Sequence, residues 1–343
     1  MQAMVLNDLC DIRENRNPLS LEDLPIPEAG SDEVLIKILA CGVCHTELDE
    51  IEGRTAPPFL PVVPGHEVVG RIVKVGDDVT TRQVGERVGV GWFFSSCGSC
   101  RYCLEGNENL CSEFKATGRD ANGGYAEYMK VPESSAFPLP EYLSDNRAAP
   151  LLCAGAIGYR SLRLTGIENG DSLGLTGFGG SAHLVLKMVK FKFPDSEIFV
   201  FARNPGEREF AMELGAVWAG DTDEASPLKL RSIIDTTPVW KPVVESMKNL
   251  APEGRLVINA IRKEEIDKEY LTRISYPEHI WMEKEIKSVA NVSRRDISEF
   301  LELAGKMKIE PEIEVYPLEG ANRALFELRR GSVKGAKVLQ VSQ

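Results

Sequence analysis

The chain has no run of eighteen apolar residues, so no stretch of it reads as a membrane-spanning helix. A basic excess is missing too: 40 Lys and Arg stand against 52 Asp and Glu, a formal net charge of −12. Such a balance repels phosphate backbones and excludes nucleic acid as a partner. The opening residues MQAMVLNDLC carry neither a basic n-region nor an apolar core, which predicts no secretory leader and a cytoplasmic setting. No internal repeat or low-complexity tract appears. What remains, 27% charged and 43% hydrophobic residues in a chain of 343, suits a soluble globular protein with two domains and a sizeable core.

Eight cysteines are present, and in a cytosolic chain clustered CxxC spacings point to metal rather than to disulfides. The densest cluster is CGSCRYCLEGNENLC, residues 97–111, with C-x2-C-x2-C-x7-C spacing over Cys97, Cys100, Cys103 and Cys111. Four thiolates in one short lobe make a closed tetrahedral set, the signature of structural zinc. The bacterial iron–sulfur run also opens C-x2-C-x2-C, but it closes after three residues with Cys-Pro. Here the gap is seven and Ser112 follows. A nucleic-acid zinc ribbon would need a basic lobe, and only Arg101 and Lys115 face Glu105, Glu108 and Glu113.

A second set is more dispersed. The stretch 41–67, CGVCHTELDEIEGRTAPPFLPVVPGHE, holds Cys44 and His66 with Glu67 directly after, and Cys153 follows far downstream in LLCAGAIGY. Thiolate and imidazole suit a catalytic zinc, which takes about three protein ligands and keeps one position open. The plain alternative is that these are small buried residues.

Residues 1–150 read as mostly β. Apolar runs at 34–39, 68–75, 87–90 and 125–131 alternate with Gly and Pro, and the glycines of 67–90 suit turns in a small barrel. From about residue 148 the character changes to a helix, then an apolar strand, then the turn GFGGSA and a second helix. The turn is G-x-G-x-x-A over Gly177, Gly179 and Ala182, which permits a tight bend and close approach of a pyrophosphate to the helix N-terminus. Further strands follow in EIFVFA, AVWAGD, RSIIDTT, GRLVINAI and EIKSVA, an α/β doubly wound nucleotide-binding domain over 151–290. The tail 291–343 holds a helix, ISEFLELAGKM, and a last strand, AKVLQV.

Taken together, GVCHTEL, GHEVVGRIVKVG, the four-cysteine lobe, LLCAG, GFGGSA and SVANVSRRD, in that order, resemble the zinc-containing medium-chain alcohol dehydrogenases over essentially the whole chain. The resemblance implies a GroES-like barrel catalytic domain over 1–150, completed by 291–343, beside the Rossmann domain. It implies two zinc ions: a catalytic one on Cys44, His66 and Cys153 with Glu67 as an inner-sphere or near-ligand carboxylate, and a structural one on the lobe. It also implies a small alcohol or aldehyde as substrate, a nicotinamide cofactor, and a homodimer or homotetramer. Thr46 takes the place of the family's relay hydroxyl. Asp49 stands where the relay usually has a histidine or another polar group. His45 falls at a pyrophosphate contact, with an ordinary exposed histidine as the alternative, and Trp92 falls at a substrate-pocket aromatic, with a core tryptophan as the alternative.

The cofactor positions are Gly177, Phe178, Gly179, Gly180 and Ser181 in the turn, Ala202, Arg203, Asn204 and Arg208 at the end of the second strand and beyond, and Ala260 after the fifth. No carboxylate stands at 202–204 to accept ribose hydroxyls, and Arg203 could pair a 2′-phosphate, so NADP(H) is favoured. If Arg203 points to solvent, NAD(H) stays usable. Cys41, Cys10, His183 and His279 are read as structural. The C-terminal cofactor arginine of the family is matched by Ala336 with Lys337 beside it, and Arg294 and Arg295 are phosphate contacts or solvated charge. Two other readings of the same residues are a zinc-free quinone or enone reductase, which would lack Cys44, His66 or Cys153, and a non-catalytic zinc-binding protein.

Overall fold

The computed structural model describes residues 1–330 and 335–342, which divide into two compact units, 1–156 with 292–343 and 157–291.

In the first unit a seven-stranded sheet runs in the order Ile313–Pro317, Ala336–Gln340, Glu33–Val43, Val68–Val75, Arg87–Val90, Phe137–Pro138, with Tyr128–Pro132 also paired to Glu33–Val43. All of its pairings are antiparallel except the first. Glu33–Val43 is the spine, because three strands pair with it. Its residues are buried almost throughout, and Ile36, Ile38 and Cys41 join Val68, Ile72, Val88 and Tyr125 in one apolar core. The C-terminal Ala336–Gln340 is inserted beside that spine, so the tail completes the first unit. The helix Arg294–Met307 begins with a capping box in which Ser293 and Asp296 satisfy each other's backbone N–H, and it ends at Lys308 in a left-handed conformation.

In the second unit six strands are all parallel: Trp218–Gly220, Ile198–Phe201, Leu173–Thr176, Leu230–Asp235, Leu250–Ile258 and Glu285–Ser288. Numbered along the chain this order is 3-2-1-4-5-6, that of a dinucleotide-binding sheet. The central strands LGLT and IFVF are buried at every position, as expected where helices cover both faces. Glu285–Ser288 is exposed at all four positions and forms one edge. The helix Pro205–Glu213 starts where Asn204 accepts the Gly206 N–H, with proline at its first turn. No helix among the described residues is long and apolar enough to cross a membrane.

Candidate metal centres and dinucleotide turn

Cys44 caps the helix His45–Ile51, which leaves the end of the Glu33–Val43 spine. The Thr46 backbone N–H points at its Sγ, 3.3 Å away. Glu47, fully buried three residues into the helix, uses one carboxylate oxygen to accept the Cys44 N–H at 2.8 Å and puts the other 2.6 Å from His66 Nδ1. A carboxylate at that distance favours the imidazole proton on Nδ1, which leaves Nε2 as a lone-pair donor. Nε2 lies 3.6 Å from Cys44 Sγ, and Cys44 Sγ lies 3.9 Å from Cys153 Sγ. A tetrahedral zinc about 2.3 Å from sulfur and about 2.1 Å from nitrogen would hold such pairs about 3.6–3.8 Å apart, so the donors fit that ion. Glu67 joins them, and the ligand atoms of all four residues lie within 4.8 Å of one another.

Glu67 owes its place to a glycine. A Cβ on Gly42 would stand 1.8 Å from Glu67 Oε2, so any larger residue in the spine would expel the carboxylate. Burial pushes that carboxyl up to about 8, with His66 opposing and Glu47 adding to the rise. The Cys44 thiol is held well above its ordinary range by its hydrogen bond with Cys153 and by burial.

Trp92, 6% exposed, sets its ring edge-to-face with His66, centroids 5.0 Å apart. His45 is exposed and Thr46 half-buried. Asp49 is buried and bound to Arg54 through Oδ1 at 2.5 Å, while its carbonyl accepts the backbone N–H groups of Arg54 and Thr55. Cys41 is fully buried and donates to the Gly42 carbonyl. Cys10 is half-buried.

The lobe draws its four sulfurs from one stretch. Cys97 lies 3.9 Å from Cys103 and 3.5 Å from Cys111, and Cys100 lies 3.6 Å from Cys103. These spacings again fit a tetrahedral ion. Backbone N–H groups of Ser99 and Cys100 aimed at Cys97 lower its thiol to about 6. The Cys103 N–H pulls the Cys100 thiol down, but burial and the neighbouring sulfurs push it up to about 11. Arg294 is tied to the buried Glu108 of this lobe at 2.8 Å and Arg295 to Glu299 at 2.6 Å. Lys337 is fully buried and donates to Glu314 and Glu327, with Tyr316 beside it.

In the second unit, Gly177 follows the first strand with φ +71° and donates its N–H to the Phe201 carbonyl, which folds the turn back on the second strand. Gly179 then begins the helix Gly180–Lys192. A Cβ at Gly179 or Gly180 would meet nothing within 4 Å, so this helix start is open to a ligand, as a pyrophosphate requires. Phe178 is buried and Ser181 half-buried. Ala202 is buried, and its carbonyl accepts Arg208 Nη1 at 2.9 Å. Arg208 also pairs with Asp221, so its guanidinium is engaged, whereas Arg203 and Asn204 are exposed. Ala260 follows the fifth strand and is half-buried. His279 is buried against Ser275, and His183 Nδ1 lies 3.2 Å from the Gly179 carbonyl.

Sequence reasoning misses three residues. Glu47 carries a signal in its i+3 spacing from Cys44, the spacing of a capping box. Gly42 carries none beyond its type. Glu207 lies several residues past the strand end where a selecting carboxylate is expected, yet its Oε2 accepts the Phe178 N–H at 3.4 Å, on the glycine turn itself.

Residues 30–141 match the alcohol dehydrogenase GroES-like domain. A probable alcohol dehydrogenase of Mycobacterium tuberculosis is 40% identical over 94% of this chain and 93% of its own length. An alcohol dehydrogenase of Geobacillus stearothermophilus is 34% identical over 96% of this chain and 98% of its own. Among solved structures, a cinnamyl alcohol dehydrogenase from Sorghum bicolor superposes with a TM-score of 0.82 at 29% identity, covering 99% of this chain and 97% of that one. With its parallel dinucleotide-type sheet, its GroES-like region and both cysteine clusters, the chain belongs to the zinc-type medium-chain alcohol dehydrogenase family.

Proposed function

We propose that the protein is a zinc-dependent alcohol dehydrogenase that interconverts a primary or secondary alcohol and its aldehyde or ketone with a nicotinamide cofactor. The observation that carries this reading is the set of two half-buried sulfurs and one buried imidazole, Cys44, Cys153 and His66, at zinc spacing. These three would hold the catalytic zinc with Glu67 beside them, and Cys97, Cys100, Cys103 and Cys111 would hold a second, structural one. When bound, the metal acts as a Lewis acid on the alcohol oxygen, and the cofactor accepts the hydride.

The remaining work falls to the chain. Glu47 keeps the His66 proton on Nδ1. Trp92 packs edge-to-face against that imidazole. The Thr46 hydroxyl can donate and accept at once, which suits a proton relay. Asp49, the next polar group, is held in one orientation by Arg54. The turn at Gly179, Gly180 and Ser181 offers backbone N–H groups to a pyrophosphate, with Ala260 of the same unit as a further contact. The complete donor set speaks against a zinc-free quinone or enone reductase, and the open glycine turn speaks against a non-catalytic zinc protein.

For the cofactor, the exposed Arg203 and the lack of a carboxylate at 202–204 support NADP(H). The reach of Glu207 to the glycine turn supports NAD(H) as a second reading, because a carboxylate there repels a 2′-phosphate. The exposed edge strand Glu285–Ser288 supports association of copies into a dimer or tetramer in the cytoplasm, for which light scattering should report more than one chain. The deciding experiment is a panel of primary, secondary, aromatic and aliphatic alcohols and aldehydes, assayed with both cofactors beside metal analysis. We expect turnover and two zinc ions per chain. No turnover in a fully metallated protein, or substantial iron with visible absorbance, would overturn the reading.

A further inference from the structure

The strand order of the parallel sheet reverses between its first and fourth strands, and a dinucleotide binds outside the carboxyl ends of strands at such a switch point. The last residues of these two strands, Thr176 and Asp235, are register partners. Asp235 is wholly buried and accepts Thr176 Oγ1 at 2.5 Å, Thr237 Oγ1 at 2.7 Å and the Thr237 N–H at 3.3 Å. Its other oxygen is bound by Lys263, which comes from the loop after the fifth strand.

The Lys263 side chain is 7% exposed, and its ammonium also donates to the Thr237 carbonyl at 2.6 Å and the Val239 carbonyl at 3.2 Å. An ammonium has three protons, and here all three have acceptors. The same two loops are joined again where the Glu264 N–H meets the Pro238 carbonyl and where Asp267 accepts the Trp240 and Lys241 N–H groups. The segment so held presses on the glycine turn: a Cβ at Gly177 would stand 3.0 Å from Thr237 Cγ2 and 3.1 Å from Thr236 Oγ1.

We propose that Lys263 is a positioning residue for the dinucleotide, holding residues 236–239 in place beside the glycine turn. The proposal rests on the reading that this unit binds a nicotinamide dinucleotide. The side chain does not touch the cofactor. It fixes the wall against which the turn closes, and it neutralises Asp235, whose charge would otherwise stand uncompensated in a medium of low dielectric near two phosphates. A neutral side chain of similar length would leave two carbonyls and one buried carboxylate oxygen without their donor.

The test uses the zinc-loaded protein, NADPH and NADH as probes, and tryptophan-fluorescence titration for Kd. If the wild type binds neither, the dinucleotide reading fails and not this inference. With wild-type binding established, Lys263→Met should raise the Kd of the preferred cofactor about tenfold, as expected for stranding buried partners. The loss should fall on the cofactor KM rather than on kcat, with zinc content retained. Because Lys263→Met strands a buried carboxylate and can fail to fold, the double variant Asp235→Asn/Lys263→Met is measured beside it. The Asp235→Asn change keeps an acceptor for both threonines, yet the Thr237 and Val239 carbonyls remain without the ammonium, so Kd should stay raised severalfold. A double variant that binds as tightly as the wild type would overturn the proposal, since the effect would then belong to the stranded charge alone. Loss of kcat and zinc in proportion to binding would overturn it too.

Discussion

The two cysteine clusters of the first unit use the same chemistry in opposite ways. The lobe collects four sulfurs within fifteen residues of chain (97–111), and like the other set it has two buried and two half-buried members. The other set gathers Cys44, His66, Glu67 and Cys153 from three separate stretches, with Cys44 and Cys153 109 residues apart, and roots them in the sheet, a capped helix and a buried carboxylate. A local cluster of like donors can close around a metal and stabilise its own loop. A non-local, mixed cluster depends on the rest of the fold and can leave a coordination position for chemistry.

The sharpest way to break this contrast is to remove one ligand from each set. His66→Ala should lower turnover about a thousandfold or more while the melting temperature moves little. Cys97→Ser should lower the melting temperature by about 10 °C, because a closed site contributes folding energy. Calorimetry showing equal losses in both variants would erase the distinction. The next effect concerns Glu47, which belongs only to the mixed set. Glu47→Gln should weaken zinc binding at that set about 10–100-fold and leave the lobe filled. Competition with a chelator measures this, and an unchanged affinity would reduce Glu47 to a helix cap.

Cofactor choice extends the contrast to the second unit, where function again turns on single exposed or buried charges. Arg203→Ala should cost NADP(H) about tenfold in kcat/KM and leave NAD(H) unchanged. If Glu207→Gln instead raises NADP(H) use while Arg203→Ala does nothing, the carboxylate on the glycine turn makes the selection.

The mildest test is pH. A thiol must lose its proton to bind zinc, so the cluster with fewer raised thiols keeps its metal to lower pH. In the lobe Cys97 is lowered to about 6 and Cys100 is pushed up to about 11, whereas in the mixed set both thiols, Cys44 and Cys153, are raised and Glu67 is pushed up to about 8. As pH falls, the mixed set should therefore release zinc about one pH unit or more before the lobe does. Zinc occupancy followed by stepwise dialysis would show both sites emptying together if the contrast is wrong.

The elements legible in the sequence are those with local causes. The buried strands of the parallel sheet, LGLT and IFVF above all, are visible as short apolar runs between turn residues, because a strand covered on both faces needs no partner pattern to betray it. The hairpin of Gln2–Leu6 with Leu19–Asp23 and the helix Ala321–Arg329 are not legible there, since each packs through contacts with distant segments.

By itself the sequence determined the lobe, whose C-x2-C-x2-C-x7-C spacing lets few other metals and geometries compete, and the glycine turn, whose backbone only glycine adopts without strain at φ +71°. It also determined which side chains were available to the second cluster. Only the tertiary structure decided that Glu47 reaches His66, that Gly42 makes room for Glu67, and that Lys263 binds Asp235 twenty-eight residues away. Each of these depends on strand register and loop packing, and a carboxylate, a glycine or a lysine looks the same in sequence whether it faces water or the one atom that gives it a role.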